Sequence, residues 1–316
     1  MNDIKYGRKR KGIIKQLNEK ISAWVDSIED EDVKKAVKKN TIITGGSIAS
    51  MLLGEPVNDY DVYFKDKETT KLVAEYYVKK YNESNSINTA EGVTPYQPFV
   101  KQETMTNCKG EDEERVLIYI KSAGVAGSSD TEYDYFESRE DGAAEEYVES
   151  VIPNETKETD LYKPIFLSQN AITLSGKMQI IIRFYGEPDK IHSNYDFVHA
   201  MNYYDYNSGH LELKLEALES LMSRTLVYKG SLYPICSIWR AKKFINRGWR
   251  ISAGQLLKIM WQISELDLKD YNTVKEQLIG VDAAYLHQLI EALKDVDMSA
   301  VDSTYIGVLI DKIFGD

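Results

Sequence analysis

The pattern of hydrophobic and polar residues divides the chain into three stretches. In residues 8–39 apolar side chains recur every three or four positions, which predicts amphipathic helices. In residues 40–206 short apolar runs alternate with short helical segments, which predicts a mixed β-sheet with helices. From residue 207 to the end the period is helical again. We therefore expect an α+β fold with N-terminal helices, a sheet domain and a C-terminal all-α domain.

The three predicted domains are residues 1–39, 40–206 and 207–316, with insertions in the middle domain near 82–112 and 124–160. Predicted strands cover residues 41–44, 59–64, 114–123, 171–174, 178–184 and 195–204. Predicted helices of the last domain lie near 215–223, 235–247, 253–265, 270–278, 283–295 and 303–314. The polar, turn-rich residues 82–112 are expected to form a loop.

Composition excludes several classes of protein. The chain has 316 residues, of which 43% are hydrophobic, so it can bury a sizeable core. No apolar run approaches the roughly 20 residues that cross a bilayer, so we expect no membrane partner. Two cysteines, far apart in sequence, cannot form a disulfide framework or a four-cysteine zinc site. These features predict an intracellular, cytoplasmic protein.

Charge is distributed unevenly along the chain. The formal net charge is −11, but residues 130–150 alone hold nine carboxylates and one arginine. Residues 220–264 contain no carboxylate and eight basic side chains: Arg224, Lys229, Arg240, Lys242, Lys243, Arg247, Arg250 and Lys258. Solvated helices usually mix both signs, so this basic stretch indicates an anionic partner such as a triphosphate or RNA. The role of the acidic stretch stays open at this point.

Residues 41–64, TIITGGSIASMLLGEPVNDYDVYF, hold the candidate chemistry. On a strand, Asp59 and Asp61 point to one face while Tyr60 and Val62 point to the other, where they look like core residues. Two carboxylates on one face repel each other and need a positive partner. Mg²⁺ (or Mn²⁺) is the natural one, because hard cations prefer carboxylate oxygen.

A Gly45-Gly46-Ser47 turn precedes the helix that leads to this strand. Glycines let a backbone approach a ligand closely, and the N–H groups of a helix start favour an anion. Ser47 is expected to cap the helix and to bind a phosphate oxygen. Phosphate donors beside metal-binding carboxylates predict phosphoryl or nucleotidyl transfer, with an NTP as substrate. Each motif alone fits a surface turn or a solvated strand; the two together are more specific.

This stretch resembles the nucleotidyltransferase superfamily of DNA polymerase β, and most closely the head domain of poly(A) polymerases and CCA-adding tRNA nucleotidyltransferases. Those heads have a Gly-Gly turn, a short helix and an Asp-x-Asp strand in this order. MQIIIRFYGEPDKIHSNYDFVHAMNYYD, residues 178–205, and WRAKKFINRGWRIS, residues 239–252, are similar to two further segments of the family. The resemblance covers about residues 38–260.

The resemblance implies transfer of an NMP from an NTP to an acceptor hydroxyl, in this family an RNA 3′ end. It makes Asp59 and Asp61 the metal ligands and catalytic carboxylates, with Asp196 as a candidate third carboxylate. Arg240, Lys243 and Arg247 become candidate contacts to nucleotide or RNA, although each could equally be a lysine or arginine stretched along a helix surface. The oligomeric state stays unknown.

The chain departs from the family pattern at five positions: Ala49, Ser50, Gln179, Asn194 and Tyr195. Arginine, aspartate or glutamate is usual there, and Gln179 stands where a further carboxylate is expected. Two alternatives therefore stay open. One is nucleotidylation of a protein or small molecule, and the other is a non-catalytic domain that binds a nucleotide or a partner.

Overall fold

A computed structural model describes residues 7–86, 97–106, 112–119 and 161–270, together with isolated positions further on. The chain divides into two compact units, and residues from Arg224 on belong to the second. The predicted domain boundary at residue 206 stays a prediction. The acidic stretch 130–150 and most of the three helices predicted after residue 269 lie outside the described residues.

Two helices open the first unit as the hydrophobic pattern predicts. Helix α1 spans Arg10–Asp26 and α2 spans Glu31–Asn40. The apolar stripe of α1 is fully buried: Ile13, Leu17, Ile21, Trp24 and Val25. Asp30 begins α2 by accepting from the backbone N–H groups of Asp32 and Val33, which would otherwise have no acceptor within the helix.

The remaining elements of the first unit follow in chain order. The helices are α3 (Gly46–Leu53), α4 (Lys67–Ser86), α5 (Pro188–His192) and α6 (Leu215–Ser223), with a 3₁₀ turn at Val198–Ala200. The strands are β1 (Thr41–Thr44), β2 (Tyr60–Phe64), β3 (Phe99–Thr106), β4 (Asp112–Tyr119), β5 (Pro164–Leu167), β6 (Ala171–Leu174), β7 (Met178–Ile181), β8 (Tyr203–Asp205) and β9 (His210–Glu212). The predicted α+β class is confirmed.

Seven strands form one mixed sheet in the order β5-β6-β7-β2-β1-β8-β9. Strands β2 and β7 are parallel, and the other neighbours are antiparallel. The hairpin predicted at Ser175 and Gly176 joins β6 to β7. Strand β2, which carries Asp61, therefore lies at the centre of the sheet, hydrogen-bonded on both sides.

The two faces of this sheet differ in character. Tyr60, Val62 and Phe64 of β2 belong to the main hydrophobic core, into which α1, α2 and α4 also pack. Tyr63 on the opposite face belongs to a smaller cluster with Ile42 and Ile191. Because side chains alternate along a strand, Asp61 lies on the face of that smaller cluster. The prediction that Tyr60 and Val62 are core residues is confirmed.

Two sequence-based expectations were wrong in detail. The loop expected over residues 82–112 contains the end of α4 and strand β3, which pairs with β4 in a separate two-stranded sheet. Most of the described β3 side chains are exposed, so the strand lacks the apolar alternation that would have revealed it. The strand expected over residues 195–204 is reduced to β8, because a 3₁₀ turn precedes it.

The described part of the second unit holds two helices, α7 (Pro234–Asn246) and α8 (Ala253–Ser264). Two short parallel strands, β10 (Thr225–Leu226) and β11 (Arg250–Ile251), pair beside them. Gln262 of α8 binds both the N–H and the carbonyl of Ser231, which ties α8 to the segment before α7. In the parts of the chain that the structure describes, no helix is long and apolar enough to cross a membrane.

A buried hydrogen bond between Trp24 and Tyr77 joins α1 to α4, and its loss should destabilise the protein. The indole N–H donates to the Tyr77 hydroxyl at 2.7 Å, and both side chains are almost completely buried. Tyr77→Phe leaves that N–H without its acceptor, so we expect a loss of about 1–3 kcal/mol in the free energy of unfolding. Urea denaturation followed by circular dichroism measures it.

The adjacent Tyr76→Phe is the matched control. Its hydroxyl accepts from the Glu29 N–H in an exposed contact, where water replaces it at little cost. Equal losses in the two variants would contradict the role assigned to the buried pair.

Candidate active site

The site is built on the centre of the sheet. Asp61 of β2 lies in register between Thr44 of β1 and Gln179 of β7. Asp59 immediately precedes the first residue of β2, and both aspartates are partly exposed. Gln179 thus stands next to Asp61 in the sheet, and it brings a neutral amide to a position where a carboxylate would add negative charge.

Gly45 brings the backbone against the Asp61 carboxylate. It has φ 96° and ψ −151°, a conformation that is essentially restricted to glycine. A Cβ on Gly45 would lie 2.6 Å from Asp61 Oδ2. The Gly45 N–H donates to the Ala200 carbonyl at 3.1 Å, so it is engaged within the protein. Gly45 therefore shapes the turn, and donors to a ligand must come from the residues after it.

Gly46 and Ser47 begin helix α3, and the N–H groups of a first helical turn have no acceptor within the helix. Ser47 was expected to cap this helix, but that prediction is wrong: the N-cap is Gly45, and no side chain caps the helix. Ser47 is 1% exposed, and its Oγ has no hydrogen-bond partner among the described residues. A buried hydroxyl without a partner is costly, which makes it a candidate ligand-binding group.

Thr44 anchors the end of β1 beside this turn. Its Oγ1 lies 2.8 Å from His192 Nε2, 2.9 Å from the Asn202 carbonyl and 3.3 Å from the Ala200 carbonyl. A hydroxyl carries one proton, so a Thr44 that donates to a carbonyl accepts from His192, which then carries its proton on Nε2. Sequence reasoning missed His192, because 148 positions separate it from Thr44 and no spacing motif joins them.

Tyr195 is a second residue whose place was not predicted. Its hydroxyl donates to the Tyr63 hydroxyl at 3.1 Å. It also lies 3.6 Å from the position that a Cβ on Gly45 would take. The Tyr195 phenol therefore stands at the same turn as the Asp61 carboxylate.

Asp196, the candidate third carboxylate, is 8% exposed. Its electrostatic influence reaches His199, which is buried. Burial lowers the pKa of His199 to about 4, against the opposing charge of Asp196. Among the described residues no three His, Cys, Asp or Glu side chains are grouped to hold a metal ion. The assignment of Asp196 stays a prediction.

The basic candidates lie in the second unit. Arg240 and Lys243 are partly buried on α7, and Arg247 is exposed at its C-terminal end. Nearby, Lys242 Nζ lies 5.9 Å from the centre of the Trp239 ring. The prediction that Arg240, Lys243 and Arg247 contact nucleotide or RNA stays a prediction.

Comparison with known proteins gives one family match and one curated relative. A family model described as "Gad2: Gabija anti-defense 2 family protein" matches residues 15–224. Gabija anti-defense 2 of Bacillus phage SPbetaL7 is 26% identical over 143 residues, which are 44% of this chain and 36% of that protein. The chain thus matches little more than a third of the length of this relative.

Two similar solved structures are CCA-adding enzymes. The Thermotoga maritima enzyme complexed with tRNA has a TM-score of 0.36 and 12% identity, covering 88% of this chain and 54% of the enzyme. The Bacillus stearothermophilus enzyme in complex with CTP has a TM-score of 0.33 and 9% identity, covering 89% of this chain and 53% of the enzyme. Similarity at this level carries no argument about activity.

The contact between Gly45 and Asp61 predicts that Gly45→Ala damages both stability and the site. The backbone strain alone costs about 1–3 kcal/mol, and the new Cβ would also displace the carboxylate. Gly209→Ala is the matched control, since Gly209 also has positive φ but has open space around its Cβ position. Urea denaturation should show a larger loss for Gly45→Ala; an equal loss would contradict the proposed contact.

The lowered pKa of His199 predicts a pH-dependent stability. Between pH 6.5 and about 4 the unfolded chain binds a proton at this residue and the folded chain does not. The neutral His199 therefore contributes fully to the free energy of unfolding above pH 6.5. This contribution is lost as the pH falls towards 4. From pH 7 to pH 4 we expect wild type to lose up to roughly 3 kcal/mol more than His199→Gln.

Urea denaturation at several pH values measures this difference. His210→Gln, at an exposed position on β9 where the imidazole lies 2.9 Å from the Glu212 carboxylate, is the surface control, and its pH profile should differ from that of wild type by less than the profile of His199→Gln does. A pH profile of His199→Gln that coincides with that of wild type would show that burial does not hold His199 neutral.

Proposed function

The chain belongs to the Gabija anti-defense 2 family, since the family model matches more than half of its length, and from this premise we propose that it acts as a metal-dependent nucleotidyltransferase. It moves an NMP from an NTP to an acceptor hydroxyl. The observation that carries the proposal is the Gly45 backbone against the Asp61 carboxylate, at the first turn of α3.

The close approach of Gly45 to Asp61 supports nucleotidyl transfer because it places groups that suit phosphate oxygens next to carboxylates that suit a metal cation. The open N–H groups of Gly46 and Ser47 and the buried Ser47 hydroxyl suit phosphate oxygens. The carboxylates of Asp59 and Asp61 suit the cations that accompany a triphosphate. A turn alone, or an Asp-x-Asp segment alone, would not support the same conclusion.

The donor set is compatible with Mg²⁺ or Mn²⁺. Asp59 and Asp61 supply carboxylate oxygens, and Gln179, in register with Asp61, carries an amide oxygen. Mg²⁺ in phosphate sites usually takes one or two carboxylates, substrate phosphates and several waters, so two aspartates suffice. When bound, the cation neutralises charge on the triphosphate and makes an acceptor hydroxyl easier to deprotonate.

Residues of the chain itself position the reactants. The turn at Gly46 and Ser47 holds the triphosphate, and Asp59 and Asp61 would hold its cation. The acceptor oxygen bonds to the α-phosphorus as the bond from that phosphorus to the bridging oxygen breaks. Pyrophosphate leaves with the electron pair, and the hydroxyl proton passes to solvent. Catalysis then comes from positioning and electrostatics.

Two acceptors fit this chemistry. An RNA 3′ end is the acceptor that the sequence resemblance implies. The family name favours a component of the Gabija defence, whose nucleotidylation would inactivate it. Either reaction could serve an anti-defence role, and a transfer assay with both acceptors separates them.

One observation favours a second candidate function, a binding domain without catalysis. Gln179 supplies no charge beside Asp61, and among the described residues no three His, Cys, Asp or Glu side chains are grouped to hold a metal ion. A site with only two carboxylates could hold an NTP and its cation without transferring a nucleotide. In that case the NTP would bind and remain intact.

The test is transfer of label from each α-³²P-labelled NTP, with Mg²⁺ or Mn²⁺, to RNA or to purified Gabija proteins. We expect label on one acceptor with wild type, and a loss of at least about a hundredfold in Asp59→Asn and Asp61→Asn, because removing one electrostatic group at such a centre costs that much. Asp26→Asn, an exposed change on α1, is the matched control and should behave as wild type.

NTP binding, measured on the same proteins as label transfer, separates the two candidate functions. NTP binding with no transfer by wild type would favour the binding domain and reject catalysis on these acceptors. Full transfer by Asp61→Asn would reject the assignment of the carboxylates.

A further inference from the structure

Lys20 of helix α1 is a partly exposed lysine whose ammonium group is held between two tyrosine rings. Its Nζ lies 5.5 Å from the centre of the Tyr60 ring and 5.2 Å from the centre of the Tyr162 ring. Both rings are almost completely buried. The Tyr162 hydroxyl also donates to the backbone carbonyl of Lys20 at 3.3 Å. The ammonium group therefore has a fixed place on the core side of the sheet.

This ammonium group lacks a partner of opposite charge. Within the part of the chain that the structure describes, no carboxylate is paired with Lys20 and no residue accepts a hydrogen bond from its Nζ. Burial lowers the pKa of Lys20, and the positive charge of a second lysine, Lys177, lowers it further. A partly buried ammonium group beside another positive charge is unfavourable unless an anion compensates for it.

The hairpin between β6 and β7 brings further positive charge to this place. A Cβ on Gly176 would lie 3.4 Å from Lys20 Nζ, and the exposed Lys177 follows that glycine. Lys163, also exposed, borders the same hairpin. Its N–H donates to Ser175 Oγ at 3.0 Å, and its carbonyl accepts from the Ser175 N–H at 2.9 Å. We refer to Lys20, Lys163 and Lys177 as the hairpin lysines.

Two residues in contact with this cluster have a strained backbone. Tyr162 has φ 67° and Lys177 has φ 60°, a left-handed conformation that is uncommon for residues other than glycine. Tyr162 provides one of the rings around the Lys20 ammonium group, and Lys177 provides the neighbouring charge. Such strain is concentrated at functional sites, so it is consistent with a ligand-binding role for this hairpin.

We propose that the hairpin lysines form a phosphate-binding site, separate from the Gly45–Ser47 turn. Ammonium groups bind phosphate as point charges, and several of them suit a phosphate ester or a run of phosphates better than a single carboxylate. The source is either the backbone of RNA or a small phosphate compound. Tyr60 and Asp61 point to opposite faces of β2, so this site and the candidate active site lie on different sides of the sheet. The inference does not depend on nucleotidyl transfer.

Acylation of lysine amines, read by mass spectrometry on the full chain without divalent cations, tests the site. Inorganic phosphate, pyrophosphate and a single-stranded RNA oligonucleotide are the probes, and acetate at equal ionic strength is the control ligand. We expect at least one probe to slow the acylation of Lys20 but not of Lys15, which is exposed on the same helix. Reading acylation at Lys20 itself distinguishes this site from the Gly45–Ser47 turn.

Equilibrium binding of the protecting probe measures the contribution of each lysine. We expect Lys20→Gln and Lys177→Gln each to bind that probe about tenfold more weakly, the effect of one lost charge-assisted hydrogen bond. Lys15→Gln is the matched control and should bind as wild type does. Lys177→Gln changes an exposed side chain, so it tests the site even if a thermal melt shows that Lys20→Gln is unstable.

The probes also identify the source of the phosphate. If it is RNA, the oligonucleotide should bind more tightly than pyrophosphate, and Lys20→Gln should reduce the slope of log affinity against log salt by about 0.7. If it is a small compound, phosphate or pyrophosphate should protect Lys20 and RNA should not. Either pattern supports the proposal.

Three results would overturn the proposal. They are acylation of Lys20 that none of the probes slows, an affinity that Lys20→Gln and Lys177→Gln leave unchanged, and an equal loss of affinity in Lys15→Gln. None of these measurements involves label transfer, so the outcome is independent of the proposed function.

Discussion

The close approach of the Gly45 backbone to the Asp61 carboxylate is the constraint on which the site depends. The approach needs a residue without a Cβ, and it needs the end of β1 to be fixed next to β2. The carbonyl of Ala200 provides part of that fixing by accepting from the Gly45 N–H. The Thr44 hydroxyl adds to it through its contacts with His192 and Asn202. The 3₁₀ turn around Ala200 therefore acts as a support for a site built on distant strands.

The two faces of the sheet have different roles: one packs into the core, and the other carries the candidate catalytic carboxylate. One face of β2 packs Val62 and Phe64 into the core with α1, α2 and α4, where burial supplies most of the stabilisation. The other face carries Asp61, and Tyr63, further along the same strand, packs there in a small cluster with Ile42 and Ile191. Because strand side chains alternate, neither set can move without the other, so a large core stabilises the carboxylate position.

Sequence patterns predicted helices and strands correctly where the residues of a single segment define the element. The stripe from Ile13 to Val25, the helix end at Gly54 and the alternation in β2 each follow from the residues of one segment. No local sequence pattern indicates the contacts between distant segments. The bonds of Thr44 with His192 and of Tyr195 with Tyr63 join residues more than 100 positions apart, so only the folded chain shows them. The failure of Ser47 as a cap has the same origin, because the N-cap position depends on where β1 ends.

We propose above all that the Gly45–Ser47 turn and the two aspartates together hold a nucleotide with its cation. Electron paramagnetic resonance of Mn²⁺ measures this directly, by counting bound ions with and without NTP in wild type and Asp61→Asn. We expect NTP-dependent Mn²⁺ binding in wild type that is lost in Asp61→Asn while the variant stays folded. Equal Mn²⁺ binding by the two proteins in the presence of NTP would contradict it.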